Sequence, residues 1–136
     1  SMIRYQNDLS GIDSESLEGG FFVGWPNTPT AEAHLEILRG SYAVVLALNE
    51  FSQVVGFINA VSDGVCAAYL PLLEVLPEYK GRGIGRELVQ RLLDMLSNLY
   101  MIDLSCDPEL SPFYERLGFV KGTAMLRRNY DRQSCG

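Results

Sequence analysis

The sequence predicts an α/β domain of the α+β kind, built on a mixed, mostly antiparallel central sheet of six to seven strands flanked by about four helices. Three observations carry this expectation. Segments rich in Val, Ile, Phe and Tyr follow one another from Ser41 to Leu76 with only short turns between them, as the strands of a meander do. One strongly amphipathic helix then precedes another short apolar segment, so the strands on either side of it should run parallel. The 136 residues suffice to bury about two-thirds of the unfolded surface in one core, so a single domain over 1–136 is expected.

Taken in order, Ile3 to Tyr5 reads as a short strand, and the polar run Asn7 to Glu18, with only Leu9, Ile12 and Leu17 to bury, as a short helix. Gly19 to Pro29 mixes turn formers with Phe21, Phe22, Val23 and Trp25, which predicts a loop packed on the body and walling a pocket. Thr30 is an N-cap for a helix of about three turns that stops at Gly40, with His34 as a surface residue. Ser41–Asn49 and Gln53–Ser62 form a hairpin across Glu50–Ser52. Ser62-Asp63-Gly64 then turns the chain into a third strand, Val65–Leu76, ended by Pro77.

Ile84, Leu88, Leu92, Leu96 and Leu99, with Val89 and Leu93 beside them, recur at helical spacing, while Arg86, Glu87, Gln90, Arg91 and Asp94 take the other face. Glu87 and Arg91 are ordered for an i,i+4 pair. Tyr100–Cys106 is the short parallel strand. Asp107-Pro108 and Ser111-Pro112 both offer helix starts; the start near Pro112 is preferred, because a helix begun at Pro108 would hold Pro112 in its interior. Gly118 stops that helix, and a hairpin of Phe119–Lys121 and Ala124–Tyr130 completes the sheet.

Composition narrows the partners. The formal charge is −6, which argues against nucleic acid, and no apolar run is long enough for a bilayer-spanning helix, so no membrane partner is expected. Cys66, Cys106 and Cys135 are odd in number and widely spaced, with His34 as the only histidine, so neither a disulfide framework nor a metal site is expected. Ser1-Met2-Ile3-Arg4 carries no leader pattern, Ser1 reads as a scar of tag removal, and a cytoplasmic location follows. Lys80, Arg82, Arg86 and Arg91 concentrate positive charge in one short segment, where an anionic ligand should be sought.

That segment contains Gly81, Gly83 and Gly85 between a strand end and a helix start. Side-chain-free backbone brings amides close to a ligand, and the partial positive charge of a helix N-terminus favours phosphate. The same glycines would also serve a plain turn. The dinucleotide pattern Gly-x-Gly-x-x-Gly and the P-loop Gly-Lys-Ser/Thr are both absent here.

Val75-Leu76-Pro77-Glu78-Tyr79-Lys80-Gly81-Arg82-Gly83-Ile84-Gly85-Arg86-Glu87-Leu88 resembles the acetyl-CoA-binding motif of the GCN5-related N-acetyltransferases, with Lys80 where Gln or Arg is usual. Asp107 through Pro112-Phe113-Tyr114-Glu115-Arg116-Leu117-Gly118-Phe119 is similar to that family's second signature, with Asp107 in place of an Asn and Pro112 unusual within the helix. The resemblance covers about Gln53 to Tyr130, and Gly24-Trp25-Pro26 with Val61-Ser62-Asp63-Gly64 is similar to small acetyltransferases related to the plant plastid arylalkylamine enzymes. It implies acetyl-CoA as co-substrate without a metal, a small-molecule or peptide amine as acceptor, and a monomer or homodimer. It further implies that Lys80, Gly81, Arg82, Gly83, Ile84, Gly85 and Arg86 hold the pyrophosphate. Leu73, Glu74 and Val75 would meet pantetheine through their backbone, Asp107 would stand near it, and Tyr114 would protonate the departing thiolate.

Direct attack on a thioester needs a neutral amine, whereas an alkylamine has a pKa of about 10, so a base must take its proton. Glu74 is the nearest carboxylate to the expected reaction centre, although strand alternation sets it opposite Leu73 and Val75 unless a bulge re-aims it. Glu78, Asp103 and Asp107 are alternatives, Glu78 as a solvated turn residue and Asp107 as a helix cap. Tyr69 and Cys66 read as packed side chains. Two rival readings stay open: a non-catalytic acyl-CoA sensor or regulator, and another phosphate-ligand binding module.

Overall fold

Two wholly apolar stretches make the centre of the molecule. The computed structural model describes residues Met2–Gly136, and within it β2 (Ala43–Leu48) is buried along its whole length and β3 (Val54–Ser62) along most of it. Strands without polar alternation must be covered on both faces. They pair antiparallel, from Ala43 opposite Ala60 to Leu46 opposite Phe57, and β1 (Arg4–Gln6) adds antiparallel to the free edge of β2.

Adjacent residues of β3 show what covers each face. The Phe57 ring lies 4.3 Å from the His34 ring of α1 (Ala31–Arg39). At Gly56 a Cβ would come within 3.2 Å of both Ile84 and Leu88 of α2 (Ile84–Met95), so glycine permits the close helix approach. Successive strand residues point to opposite faces, so α1 and α2 lie on opposite sides of the sheet. Thr30 caps α1 by accepting from Ala33 N at 3.1 Å, and Gly40 ends it.

The expected third strand is two. β4 (Ala67–Tyr69) and β5 (Leu73–Val75) both pair antiparallel with β3, but Val61 opposite Tyr69 and Phe57 opposite Glu74 belong to registers that differ by one residue. The segment Leu70–Leu72 therefore holds one extra residue, a bulge that stops the ladder and restarts it. Beyond α2, β6 (Met101–Asp103) runs parallel to β4, as the crossover requires, and gives the order β1-β2-β3-β4-β6 with β5 also on β3. A 3₁₀ turn at Pro108–Leu110 leads straight into α3 (Ser111–Glu115), so both proline starts are used: Pro112 sits in a first turn, where its missing N–H costs nothing.

Three expectations are corrected. Asn7–Glu18 holds only a 3₁₀ turn at Ser14–Leu17, because Gly11 takes a left-handed conformation and Asp13 caps a new start by accepting from Ser16 N at 3.1 Å. His34 is a core residue, 1% exposed, enclosed by Phe21, Phe22 and Phe57. The closing hairpin does not form among the described residues: Val120–Arg132 is exposed throughout, ending in a 3₁₀ turn at Tyr130–Arg132. Among the described residues the sheet consequently has six strands, and there are three α-helices.

Candidate active site

Where β4 ends, the sheet opens. β6 follows β4 only to Asp103, and from there Leu104–Asp107 diverges while the chain on the other side turns back to β3 as β5. The cleft between them has a volume of about 330 Å³ and is lined by Leu70–Glu74, Leu104–Asp107 and Tyr114, with Trp25 and Leu126 at its walls.

Hydrogen-bond parity determines what β5 offers to this cleft. Leu72 O accepts from Asn59 N, and Leu76 N donates to Val55 O. At the two-residue period of an antiparallel ladder, Glu74 also spends its backbone on β3, opposite Phe57, while Leu73 and Val75 turn their N–H and C=O groups away from it. The backbone turned away from β3 is thus that of Leu73 and Val75, of which Leu73 lines the cleft. Glu74 contributes a side chain instead.

The bulge fixes where that side chain goes. In the register of β4, Phe57 would stand opposite Leu73; the extra residue places Glu74 there and aims its carboxylate at the α1 face. Glu74 Oε1 accepts from Phe22 N at 2.7 Å, across a loop held by the buried rings of Phe21 and Phe22. Burial raises the Glu74 carboxyl above the usual carboxylate range, opposed by the Phe22 hydrogen bond and by the charge of Lys80. Of the four carboxylates named from sequence, Glu74 and Asp107 line the cleft, whereas Glu78 and Asp103 do not. Asp107 is exposed and sits at an N-cap position with no side-chain cap bond, so it is no cap.

Tyr114 enters from α3, held edge-on between Phe113 and Phe119 at 4.9 and 5.7 Å between centroids. Burial, with Cys106 nearby as a secondary cause, raises its phenol to about 12, so it is protonated at neutral pH. It shares the cleft with Glu74 and Leu73.

At the other end, Pro77–Tyr79 forms a 3₁₀ turn, and Gly81 and Gly83 adopt φ of 80° and 78° before α2 begins. A Cβ at either glycine would meet nothing within 4 Å, so their backbone faces open space. Gly85 lies against Phe113 and Val75, which joins this loop to the cleft. The first amides of a twelve-residue helix are directed here without a side-chain cap. Lys80, Arg82 and Arg86 are exposed around them, with the Arg82 guanidinium 5.0 Å over the Tyr79 ring. Arg91 belongs elsewhere: its Nε bonds Glu87 Oε2 at 2.7 Å, as the spacing predicts, and it stacks over Tyr5. Bare amides and exposed cations suit a pyrophosphate-bearing ligand.

Sequence reasoning missed the Phe22 amide as the partner of Glu74 and the contribution of Leu126 and Arg128 to the cleft wall. Neither has a local signal, since both arise from contacts between distant segments.

The chain as a whole is similar to known proteins. A family profile for the acetyltransferase (GNAT) domain matches residues 25–130. The GCN5-related N-acetyltransferase 1, chloroplastic, of Arabidopsis thaliana is 26% identical over 132 residues, covering 90% of this chain and 67% of that protein. An uncharacterized N-acetyltransferase, ycf52, of Pyropia yezoensis is 28% identical over 103 residues, covering 73% of this chain, which thus spans only 59% of the relative's length. The crystal structure of a candidate acetyltransferase from Deinococcus radiodurans R1 superposes with a TM-score of 0.94 at 48% identity, covering 97% of this chain and 92% of that one. With the mixed six-stranded sheet and the matched domain covering most of its length, the chain belongs to the GNAT acetyltransferase family.

Proposed function

We propose that this chain is an acetyl-CoA-dependent N-acetyltransferase that acetylates a primary amine, on a small molecule or a peptide, by direct attack in a ternary complex. The observation that carries this reading is the meeting at one cleft of Leu73, whose backbone turns away from β3, with Glu74 and Tyr114, beside the glycine loop at the start of α2.

Acetyl-CoA supplies the activated thioester and the thiolate leaving group. Gly81–Gly85 offers amides to the pyrophosphate, with Lys80, Arg82 and Arg86 adding charge. Leu73 or Val75 donates an N–H to the carbonyl oxygen as negative charge develops on it. Glu74, its basicity raised by burial, accepts the proton of the incoming amine. Tyr114 offers its proton to the sulfur as the C–S bond breaks. Its phenol, at about 12, is less acidic than an ordinary thiol, so full transfer is favourable only to a thiolate that is itself desolvated in the cleft. Trp25 walls the acceptor side, with Phe21 and Phe22 in the core beneath it.

Thermal denaturation with acetyl-CoA, CoA, ATP and NAD at equal concentration tests the reading. A ligand at about a hundred times its Kd stabilises by roughly 2.7 kcal/mol, a readable rise in Tm. Acetyl-CoA and CoA should both produce it. A shift with ATP or NAD alone would remove the acetyltransferase reading, and a CoA shift without turnover on any amine would favour the non-catalytic sensor.

A further inference from the structure

The loop that carries Trp25 to the cleft holds one residue in a conformation its side chain disfavours. Three positions in it are left-handed: Gly20 at a φ of 100°, Phe22 at 66° and Gly24 at 87°. Glycine takes that conformation freely, whereas a bulky side chain crowds its own backbone there. The Phe22 ring is 2% exposed and lies 5.0, 5.1 and 6.2 Å from the rings of Trp25, His34 and Phe57, so packing holds the residue where its backbone would not choose to be. Strain of this kind persists only where the surroundings over-determine it, and it clusters at functional sites.

What the conformation achieves is visible at the Phe22 amide. Its N–H meets no backbone carbonyl among the described residues; it donates instead to Glu74 Oε1 at 2.7 Å, the short end of the range for a donor facing an ionised acceptor. Without the carboxylate it would be an unpaired donor in the core. The carboxylate is constrained in return. Oε1 is occupied, while Oε2 accepts no hydrogen bond among the described residues, and Glu74 lines the cleft. The same turn sets the cleft wall, since Trp25 N donates to Phe22 O at 3.1 Å.

We propose that Phe22 is a positioning residue for acetyl transfer: its left-handed backbone, locked by the buried ring, aims one peptide N–H at Glu74 Oε1, keeps the carboxylate ionised and reserves Oε2 for the proton of the incoming amine, a role that rests on Glu74 serving as the base. Burial favours the neutral carboxyl, and the Phe22 N–H opposes it together with the charge of Lys80. A base must be free of its proton before the amine arrives, so the amide keeps Glu74 receptive in a site whose dryness works against it. The other ionisable neighbours are common to the protein with and without this N–H. His34 of α1, against the Phe22 and Phe57 rings, has its pKa lowered to about 4 by burial and is neutral in the working range. Asp107, Cys106, Tyr114 and Arg128 share the cleft, and Glu18 shares a separate cavity with Phe22.

Incorporating phenyllactate in place of Phe22 exchanges that N–H for an ester oxygen and keeps the ring. kcat/KM should fall about tenfold or more on the acid side of the pH profile and recover as pH rises, with CoA affinity unchanged. A profile lowered equally at every pH, or not lowered at all, would overturn the proposal. The unmodified protein gives a test that needs no variant and no substrate: by NMR, the Phe22 amide proton and the Glu74 carboxyl carbon should titrate together. Separate titrations would overturn the proposal irrespective of turnover. Full turnover by Glu74→Gln would overturn it differently, by removing the base, and the two failures are told apart because the joint titration of amide and carboxyl would then persist.

Discussion

Tyr114 shows how one side chain's environment sets its chemistry. Burial holds its phenol at about 12, so it keeps a proton to give across the working pH range. Tyr114→Phe retains the ring that packs with Phe113 and Phe119, so folding and CoA affinity should persist, while turnover falls by on the order of a hundredfold if thiolate departure limits the rate. The loss should shrink with acyl donors whose leaving thiol is more acidic; a variant with full turnover on acetyl-CoA at every pH would make Tyr114 purely structural. His34 carries the opposite kind of consequence. Its imidazole is buried with Nε2 unpartnered, and burial lowers its pKa from 6.5 to about 4. The native state therefore stays neutral where the unfolded chain takes a proton, so this contribution is complete above pH 6.5 and is lost as pH falls toward 4. The loss is on the order of 3 kcal/mol. Thermal melts of the protein and of His34→Leu should diverge below pH 6.5, the variant losing less stability; parallel curves would show that His34 is solvated in the native state.

The elements differ in how much of them the residues announce. α2 was legible because its apolar positions repeat without interruption, and the loop before it because Gly81 and Gly83 occupy left-handed positions that a motif can specify. The Gly83→Asp variant puts a side chain and a negative charge into the open space the loop faces, so CoA affinity should fall by tenfold or more with the fold retained. Unchanged affinity by calorimetry would place the cofactor elsewhere. The bulge at Leu70–Leu72 was legible only in part: Pro71 within it cannot donate to a ladder, but the extra residue shows only in the register against β3, where it brings Glu74 opposite Phe57 and within reach of Phe22 N. Trp25 was identified as a pocket wall from local composition. His34 was misassigned because a single imidazole on a helix gives no sign of whether three phenylalanines will enclose it.

At the scale of the whole molecule, the fold class and the parallel crossover followed from the meander, the crossover helix and the paired motifs, each of which depends on neighbours close in the chain. The closing hairpin failed for the complementary reason. Residues 119–130 have the composition of strands, but whether they pair depends on which edge is within reach, and composition carries no information about reach. The central claim is that the divergence of β5 from β6 makes one cleft that holds the acyl donor and acts on an amine. Its most direct test is simultaneous measurement of thiol release and N-acetyl product from acetyl-CoA across a panel of primary amines, corrected for the free Cys66, Cys106 and Cys135 of the protein itself. Amine-dependent turnover, with thiol and N-acetyl product in equal amounts and lost on adding Glu74→Gln, is the predicted result; thiol release at the same rate with and without amine, or none while CoA binds, would contradict it.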